Sequence, residues 1–196
     1  MQATFVDLTA TEAVEIRQLG ENAINRLGTI LVREVSNAIA KDGPEGAVEV
    51  CHLKSLPMTN GTVDGLPRTS AVKLTSLKLR NPANAPDAAE QLALDQIQQQ
   101  LNNGDAPAPL LVQRIEHPAA APEWRVYKPL GIMAKCLKCH GDPAAQSDEL
   151  RAKLNALYPG DQATGFNAGE WRGLIRVTID NKPPTPPAKP TAKAHP

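Results

Sequence analysis

The chain has 196 residues, with 21 Lys and Arg against 21 Asp and Glu, so its formal net charge is zero. This balance argues against a nucleic-acid-binding protein and against polybasic attachment to membranes. No stretch approaches the roughly 20 apolar residues that span a bilayer. The first residues lack the basic and apolar regions of a signal peptide, so we expect any export signal to have been removed from this chain. The length suits one compact domain.

Residues 9–40 predict a long amphipathic helix, with Thr9 and Glu12 placed as a capping box. Its apolar positions follow helical spacing at Ile24, Leu27, Leu31 and Val35.

The sequence "KDGP" (41–44) is expected to end this helix. Pro44 then suits the first position of a second, shorter helix, on which Val48, Cys51 and His52 share a broad face up to Pro57.

The remaining chain predicts both strands and helices. Residues 58–82 are expected to be extended, and Pro86 and Asp87 to begin a helix that runs to about Leu101. Strands are predicted at 110–117, 123–130 and 172–179, with a helix after Ser147 that places Leu150, Leu154 and Leu157 on one side. This order favours an α+β fold with an antiparallel sheet over residues 1–181. The proline-rich residues 182–196 predict a disordered tail.

Residues 135–142 read "KCLKCHGD" and contain the motif C-x-x-C-H, formed by Cys136, Cys139 and His140. This is the attachment signature of a c-type haem. Two thiols at this separation can reach two vinyl groups on one porphyrin edge, and the adjacent imidazole can bind the iron as the proximal ligand. A thioredoxin-like redox pair normally accompanies a βαβ pattern, and a zinc site would need a second ligand pair. We therefore predict one covalently bound haem c per chain.

The sixth iron ligand is open from the residues alone. Candidate side chains are those of Cys51, His52, Met58, His117 and Met133. Met133 lies only seven residues before His140 and is not expected to reach the opposite haem face. Cys51 is the third and unpaired cysteine, which ligation would explain, although a free cysteine is often a small buried hydrophobe.

Four stretches resemble a known family, the PAS-like monohaem c proteins first typified by a cyanobacterial member. They are "AVEVCHLKS" (47–55), "TSLKLRNPANAPDAAE" (75–90), "CLKCHGDP" (136–143) and "LYPGDQATGFNAGEWRGLIRV" (157–177). The resemblance implies a PAS-like fold, with helices packed on a five-stranded antiparallel sheet. It also implies an axial pair made of His140 and a cysteine that corresponds to Cys51. His52 departs from the small residue expected after that cysteine, and it could be a hydrogen-bond partner or a competing ligand.

The same stretches contain further candidates. Arg80 and Arg172 are candidates for binding the haem propionates, because guanidinium matches carboxylate geometry; structural ion pairing is the alternative. The run from Asn81 to Pro86 is expected to form a rigid turn into a helix. Tyr158, Asp161 and the nearby glycines are interpreted mainly as turn positions.

A thiolate ligand stabilises ferric iron, so a low reduction potential is expected. The predicted function is a redox or NO/CO sensor without enzymatic activity; the alternative is a soluble electron-transfer cytochrome. Thioether attachment implies the periplasm or another extracytoplasmic space. The expected partner is a redox or signalling protein, and a homodimer is one assembly that the sequence allows.

Overall fold

The structure is a computed structural model, and it describes residues 2–48, 50, 58–59, 62–63 and 65–181. The predicted helix face with Cys51 and His52 and the predicted tail at 182–196 lie outside the described residues. The four α-helices described are α1 (Thr11–Ala47), α2 (Ala88–Asn102), α3 (Leu137–His140) and α4 (Asp148–Leu157). The strands are β1 (Gln2–Phe5), β2 (Met58–Thr59), β3 (Thr62–Val63), β4 (Thr69–Thr75), β5 (Leu111–His117), β6 (Ala120–Gly131) and β7 (Trp171–Ile179).

Five of the strands form one sheet in the order β1-β5-β6-β7-β4, and every neighbouring pair is antiparallel. The predicted α+β class, with a five-stranded antiparallel sheet and a long N-terminal helix, is confirmed. The strand β1 was not predicted, because four residues are too few to show a period. Across the described residues, none of the helices combines the length and the apolar character that crossing a membrane requires.

The long helix α1 differs from its prediction at both ends. Thr9 donates from its backbone N–H and its hydroxyl to Asp7, at 2.7 and 2.6 Å, and Ala10 occupies the N-cap without a side-chain bond. The predicted Thr9–Glu12 capping box is therefore wrong. The predicted break is confirmed, because Gly43 has φ 71° and interrupts the helix before Pro44. The helix resumes after Gly43, and its last assigned residue is Ala47.

The sheet separates two apolar clusters because successive strand residues point to opposite faces. Val112, Val126 and Ile175 pack with the first half of α1. Their neighbours Leu111, Tyr127 and Leu174 pack with α2. Each helix thus covers one face of the same sheet.

The α2 face also carries a buried ionic network. Glu90 is fully buried, and its carboxylate lies 2.6 Å from Lys73 Nζ and 3.0 Å from Arg176 Nε. Asp87 and Glu90 form a capping box at the start of α2, as the predicted start at Asp87 requires. Asp87 also accepts from Arg125 Nη1 at 2.7 Å. The start of α2 is consequently tied to the sheet by charge as well as by packing.

Ser147 caps α4 by accepting from Leu150 N at 3.1 Å, as predicted. Leu150 and Leu154 are buried, whereas Leu157, the third leucine of the predicted side, is 48% exposed. Leu157 is the last residue of the helix, and Tyr158 occupies the cluster in its place.

Candidate haem site

A cavity of about 270 Å³ lies where the second half of α1 passes over the sheet. No residue of α1 between Leu27 and Ala47 is buried, whereas the first half is fixed in the core. The cavity wall from α1 is apolar and follows helical spacing: it consists of Gly28, Leu31, Val32, Val35 and Ile39. The predicted apolar stripe of this helix therefore packs on the sheet at one end and lines a cavity at the other.

Two glycines of α1 show the difference between these halves. A Cβ on Gly20 would lie 2.4 Å from Val126 Cγ2, so packing against the sheet excludes a side chain there. A Cβ on Gly28 would meet no heavy atom within 4 Å. The absence of a side chain at Gly28 enlarges the cavity, although glycine within a helix costs about 1 kcal/mol relative to alanine. This is the arrangement that a bulky apolar group beside the helix would need.

The three C-x-x-C-H residues line the same cavity. Cys136 ends a 3-10 turn and is half-buried, and Cys139 in α3 is 6% exposed. Burial raises the pKa of the Cys139 thiol, although the positive charge of Arg80 acts in the opposite direction. A single short helical segment thus places both thiols at a mainly apolar cavity.

His140 ends α3 and also lines the cavity. Burial, together with the charges of Arg80 and Arg172, lowers the pKa of His140 to about 3. The imidazole is therefore neutral at physiological pH. Its Nδ1 lies 2.7 Å from the carbonyl oxygen of Ala163. A carbonyl can only accept, so Nδ1 carries the proton and the lone pair is on Nε2, which is the form that binds a metal.

Arg80 lies at the cavity, but much of its guanidinium is engaged within the protein. Its Nε lies 2.9 Å from Asp161 Oδ2, and its Nη2 donates to the Cys139 carbonyl at 2.6 Å. The predicted propionate contact of Arg80 stays a prediction. The structural pairing that was its alternative is present.

Arg172 is in a different situation. Its Nη1 donates to Ser76 Oγ at 2.5 Å and to the Lys78 carbonyl at 2.9 Å, but no carboxylate pairs with it among the described residues. Burial, and then the charge of Arg80, lower the pKa of Arg172 to about 10. A partly buried cation without an anionic partner, at the edge of an apolar cavity, suits a ligand that carries carboxylates.

The structure describes the side chains of only two of the five candidate sixth ligands, His117 and Met133. Cys51 and His52 lie outside the described residues, and of Met58 only the backbone is described, in β2. His117 is excluded by position: it is 3.4 Å from Glu123, at the end of the sheet where β6 begins. The C-x-x-C-H motif follows the other end of β6. Because β6 is 12 residues long, its two ends are about 36 Å apart. Met133 lines the cavity but is 43% exposed.

Phe166 contacts the site in a way that sequence reasoning missed. Its ring lies edge-on to His140 with centroids 6.4 Å apart, and Lys78 Nζ lies 4.8 Å from its centroid. The carbonyl of Ala163 was missed as well, because a backbone acceptor leaves no trace in residue type. Gly28 was the available sequence signal for the cavity, because it is a glycine inside an otherwise regular helical pattern.

These residues fit a c-type haem. Two thiols and a neutral histidine with a free Nε2 line one cavity, α1 contributes apolar residues to it, and Arg172, without a carboxylate partner among the described residues, lines it as well. The donor set therefore matches what the motif requires.

Comparison with known proteins places the chain in a family. A family model described as Tll0287-like matches residues 11–180. The crystal structure of the cyanobacterial heme-protein Tll0287 is similar to this chain, with 27% identity over 58% of this chain and 63% of that chain, and a TM-score of 0.43. This chain thus covers less than two thirds of that relative's length. No protein of curated function matches it. Since the family model covers most of the sequence, the chain belongs to the Tll0287-like family.

Proposed function

We propose that this protein binds one haem c, attached through Cys136 and Cys139, with His140 as the proximal ligand. The observation that carries the proposal is the hydrogen bond from His140 Nδ1 to Ala163, which leaves Nε2 free at a cavity that both motif cysteines line. Membership of the Tll0287-like family agrees with this, since the cyanobacterial Tll0287 is a heme-protein. Arg172, as a cation at the cavity, would bind a haem propionate, and Cys51 would be the second axial ligand.

The haem would supply one-electron redox chemistry and the capacity to bind NO or CO. A thiolate from Cys51 would favour ferric iron and a low reduction potential. With both axial positions taken there would be no open iron site for a substrate, so the proposal includes no catalytic turnover; NO or CO would bind only after the weaker axial ligand leaves the iron.

Within this proposal, the protein acts as a low-potential redox or NO/CO sensor. The support is the placement of α1, whose second half forms a cavity wall while its first half is packed on the sheet. A change of axial ligand inside the cavity would act directly on the residues of α1 that line it. Sensors of this kind need two states that a ligand or an electron populates differently.

The alternative is electron transfer, and it has an observation of its own. The cavity rim is open to solvent at Met133, which is 43% exposed, and Lys135 beside it is exposed as well. A partner protein could approach the haem edge there. In either role we propose a periplasmic or other extracytoplasmic location, because thioether attachment takes place outside the cytoplasm, and a redox or signalling protein as the partner.

The test of the cofactor is the absorption spectrum of purified protein after denaturation, where covalent haem stays with the chain. His140→Ala and Cys139→Ala should abolish or sharply reduce attached haem, and His117→Ala should leave it unchanged. Full haem attachment in Cys139→Ala would contradict the proposed site.

The test of the second ligand compares Cys51→Ala with Met133→Leu in the oxidised, reduced and CO-exposed forms. We expect the ferric spectrum to change only in Cys51→Ala. Ready CO binding by the reduced wild type would support sensing, whereas unchanged coordination on reduction with fast electron exchange to a cytochrome would support electron transfer. An unchanged ferric spectrum in Cys51→Ala would remove Cys51 as a ligand.

A further inference from the structure

The segment that follows α4, residues 161–166, is hydrogen-bonded to the C-x-x-C-H segment, residues 136–141. Phe166 N donates to the His140 carbonyl at 2.9 Å, and Gly165 N donates to the Gly141 carbonyl at 2.8 Å. In the opposite direction, His140 Nδ1 donates to Ala163. Ala163 is completely buried, so this acceptor is shielded from water.

One ion pair ties these two segments together. Arg80 Nε and Nη2 both lie 2.9 Å from Asp161 Oδ2, and the two side chains are only 9% and 11% exposed. The same Nη2 donates to the Cys139 carbonyl at 2.6 Å. Arg80 thus contacts the residue before His140 and the segment that holds the imidazole acceptor.

Asp161 completes the arrangement on the other side. Its second oxygen, Oδ1, accepts from Ala163 N at 2.8 Å, and the next residue, Gln162, donates its N–H to the Leu79 carbonyl at 2.7 Å. Asp161 therefore fixes the residue whose carbonyl receives the His140 proton. Arg80 Nη2 lies 3.4 Å from that same carbonyl oxygen, so its charge competes weakly for the acceptor.

We propose that the Arg80–Asp161 pair positions His140 and sets the reduction potential of the haem iron through the His140–Ala163 hydrogen bond and through its own balanced charge. The proposal assigns Arg80 to the proximal histidine and leaves Arg172 as the arginine for a propionate. It rests on the proposed function in one respect, that His140 binds the iron.

The two members of the pair act on the potential with opposite signs. In Asp161→Asn the charge of Arg80 is no longer balanced, and a positive charge near the iron favours the ferrous state. In Arg80→Gln the charge of Asp161 is left, and the Ala163 carbonyl becomes a stronger acceptor, so the ferric state gains. A merely structural role would shift both variants in the same direction.

The experiment is a spectroelectrochemical titration of haem-loaded wild type, Asp161→Asn, Arg80→Gln and Arg80→Lys. Asp161→Asn is nearly isosteric. At a fixed applied potential it should raise the ratio of reduced to oxidised protein about tenfold, which corresponds to a rise in the reduction potential of about 59 mV for a one-electron couple. Arg80→Gln should lower that ratio, and Arg80→Lys should lie near the wild type. Glu34→Gln, in an exposed pair with Arg33, is the control and should change nothing.

A second readout is amide hydrogen exchange on the same haem-loaded proteins. In Asp161→Asn the amide of Ala163 should exchange at least tenfold faster, while core amides such as Val126 and Val177 keep their protection. Potentials unchanged or shifted in one common direction would overturn the proposal, as would unfolding of both Asp161→Asn and Arg80→Lys. Absence of covalent haem from the wild type would instead refute the proposed function itself.

Discussion

The two faces of the central sheet are closed in different ways. On the α2 face, charged groups are buried and paired: Glu90 is bonded to Lys73 and Arg176, and the hydroxyl of Tyr127 donates to Gln113 at 2.7 Å. On the α1 face the first half of the helix packs on apolar strand residues, and the second half leaves a cavity. The α2 face is complete within the chain, whereas the α1 face has room for a further component.

The difference shows how one sheet can be both a rigid support and a binding surface. Paired, buried charges are costly to separate, so they hold α2 in a single arrangement. An apolar wall without such pairs accepts a ligand with little rearrangement. The polar network thus lies on the face opposite the cavity, where it fixes the strands that carry the site.

The largest expected effect comes from breaking the α2 network. Glu90→Leu would leave Lys73 and Arg176 without their buried partner and should lower the free energy of unfolding by about 4 kcal/mol. Urea denaturation measures this, with Glu34→Gln as an exposed control within about 0.5 kcal/mol of wild type. A loss below about 1 kcal/mol for Glu90→Leu would show that the network does not support the sheet in this way.

The second largest effect is expected in the packed half of α1. Gly20→Ala places a Cβ against Val126 and should cost about 2 kcal/mol, because the helix must move away from the sheet. Thermal or urea unfolding checks it. A neutral result would mean that the helix and sheet can separate there without cost.

Low pH should destabilise the folded protein at the α2 face, because Glu123 becomes protonated there. Burial acts to raise the pKa of Glu123, but the hydrogen bond and the charge of Arg125 outweigh it and hold the pKa below its usual range. A carboxyl with a depressed folded pKa contributes stability above the unfolded pKa of about 4, and that stability is lost as pH falls through the folded value. The free energy of unfolding should therefore fall below pH 4, at up to about 1.4 kcal/mol per pH unit for this proton.

Arg125→Met removes the largest of the interactions that lower the pKa of Glu123. The fall in stability below pH 4 should be shallower in that variant than in wild type, in denaturation curves measured at a series of pH values. Parallel pH dependences in the two proteins would contradict the assignment.

The smallest effect has the opposite sign and concerns the open half of α1. Gly28→Ala meets no atom and should raise the stability of haem-free protein by up to about 1 kcal/mol, since alanine is the better helix former. The larger Gly28→Leu should extend into the cavity and lower the amount of haem attached. Destabilisation by Gly28→Ala, or full haem content in Gly28→Leu, would show that this position does not border the haem.

Prediction from sequence was strongest where periodicity or a motif carries the information. The α2 start at Asp87, the strand over 172–179 and the C-x-x-C-H segment all follow from local chemistry. Spacing places Leu157 on the same side as Leu150 and Leu154, but it does not reveal that the helix ends there and leaves Leu157 exposed. The Thr9 capping box failed because Asp7, two residues earlier, is a competing acceptor for the same groups.

Within the site, the three motif residues were predicted, and the structure brings them to one cavity. The surroundings of His140 were not accessible, because they depend on a carbonyl and on a pair, Arg80 and Asp161, that is 81 residues apart in sequence. Such a pairing depends on tertiary structure, and neither residue type indicates it. The same holds for the contrast between Gly20 and Gly28, which are alike in sequence and opposite in surroundings.

The division of α1 at Leu27 also has a mechanical consequence. A helix rises 1.5 Å per residue, so the unburied stretch from Leu27 to the kink at Gly43 is about 24 Å long. Beyond the kink the chain is held again, because Ser147 Oγ donates to Glu45 at 2.5 Å and Val48 packs with Cys139 and Leu154. A tilt of about 5° at Leu27 would displace the kink by about 2 Å on that geometry. Because Glu45 is bonded to Ser147, such a displacement would be passed on to the start of α4.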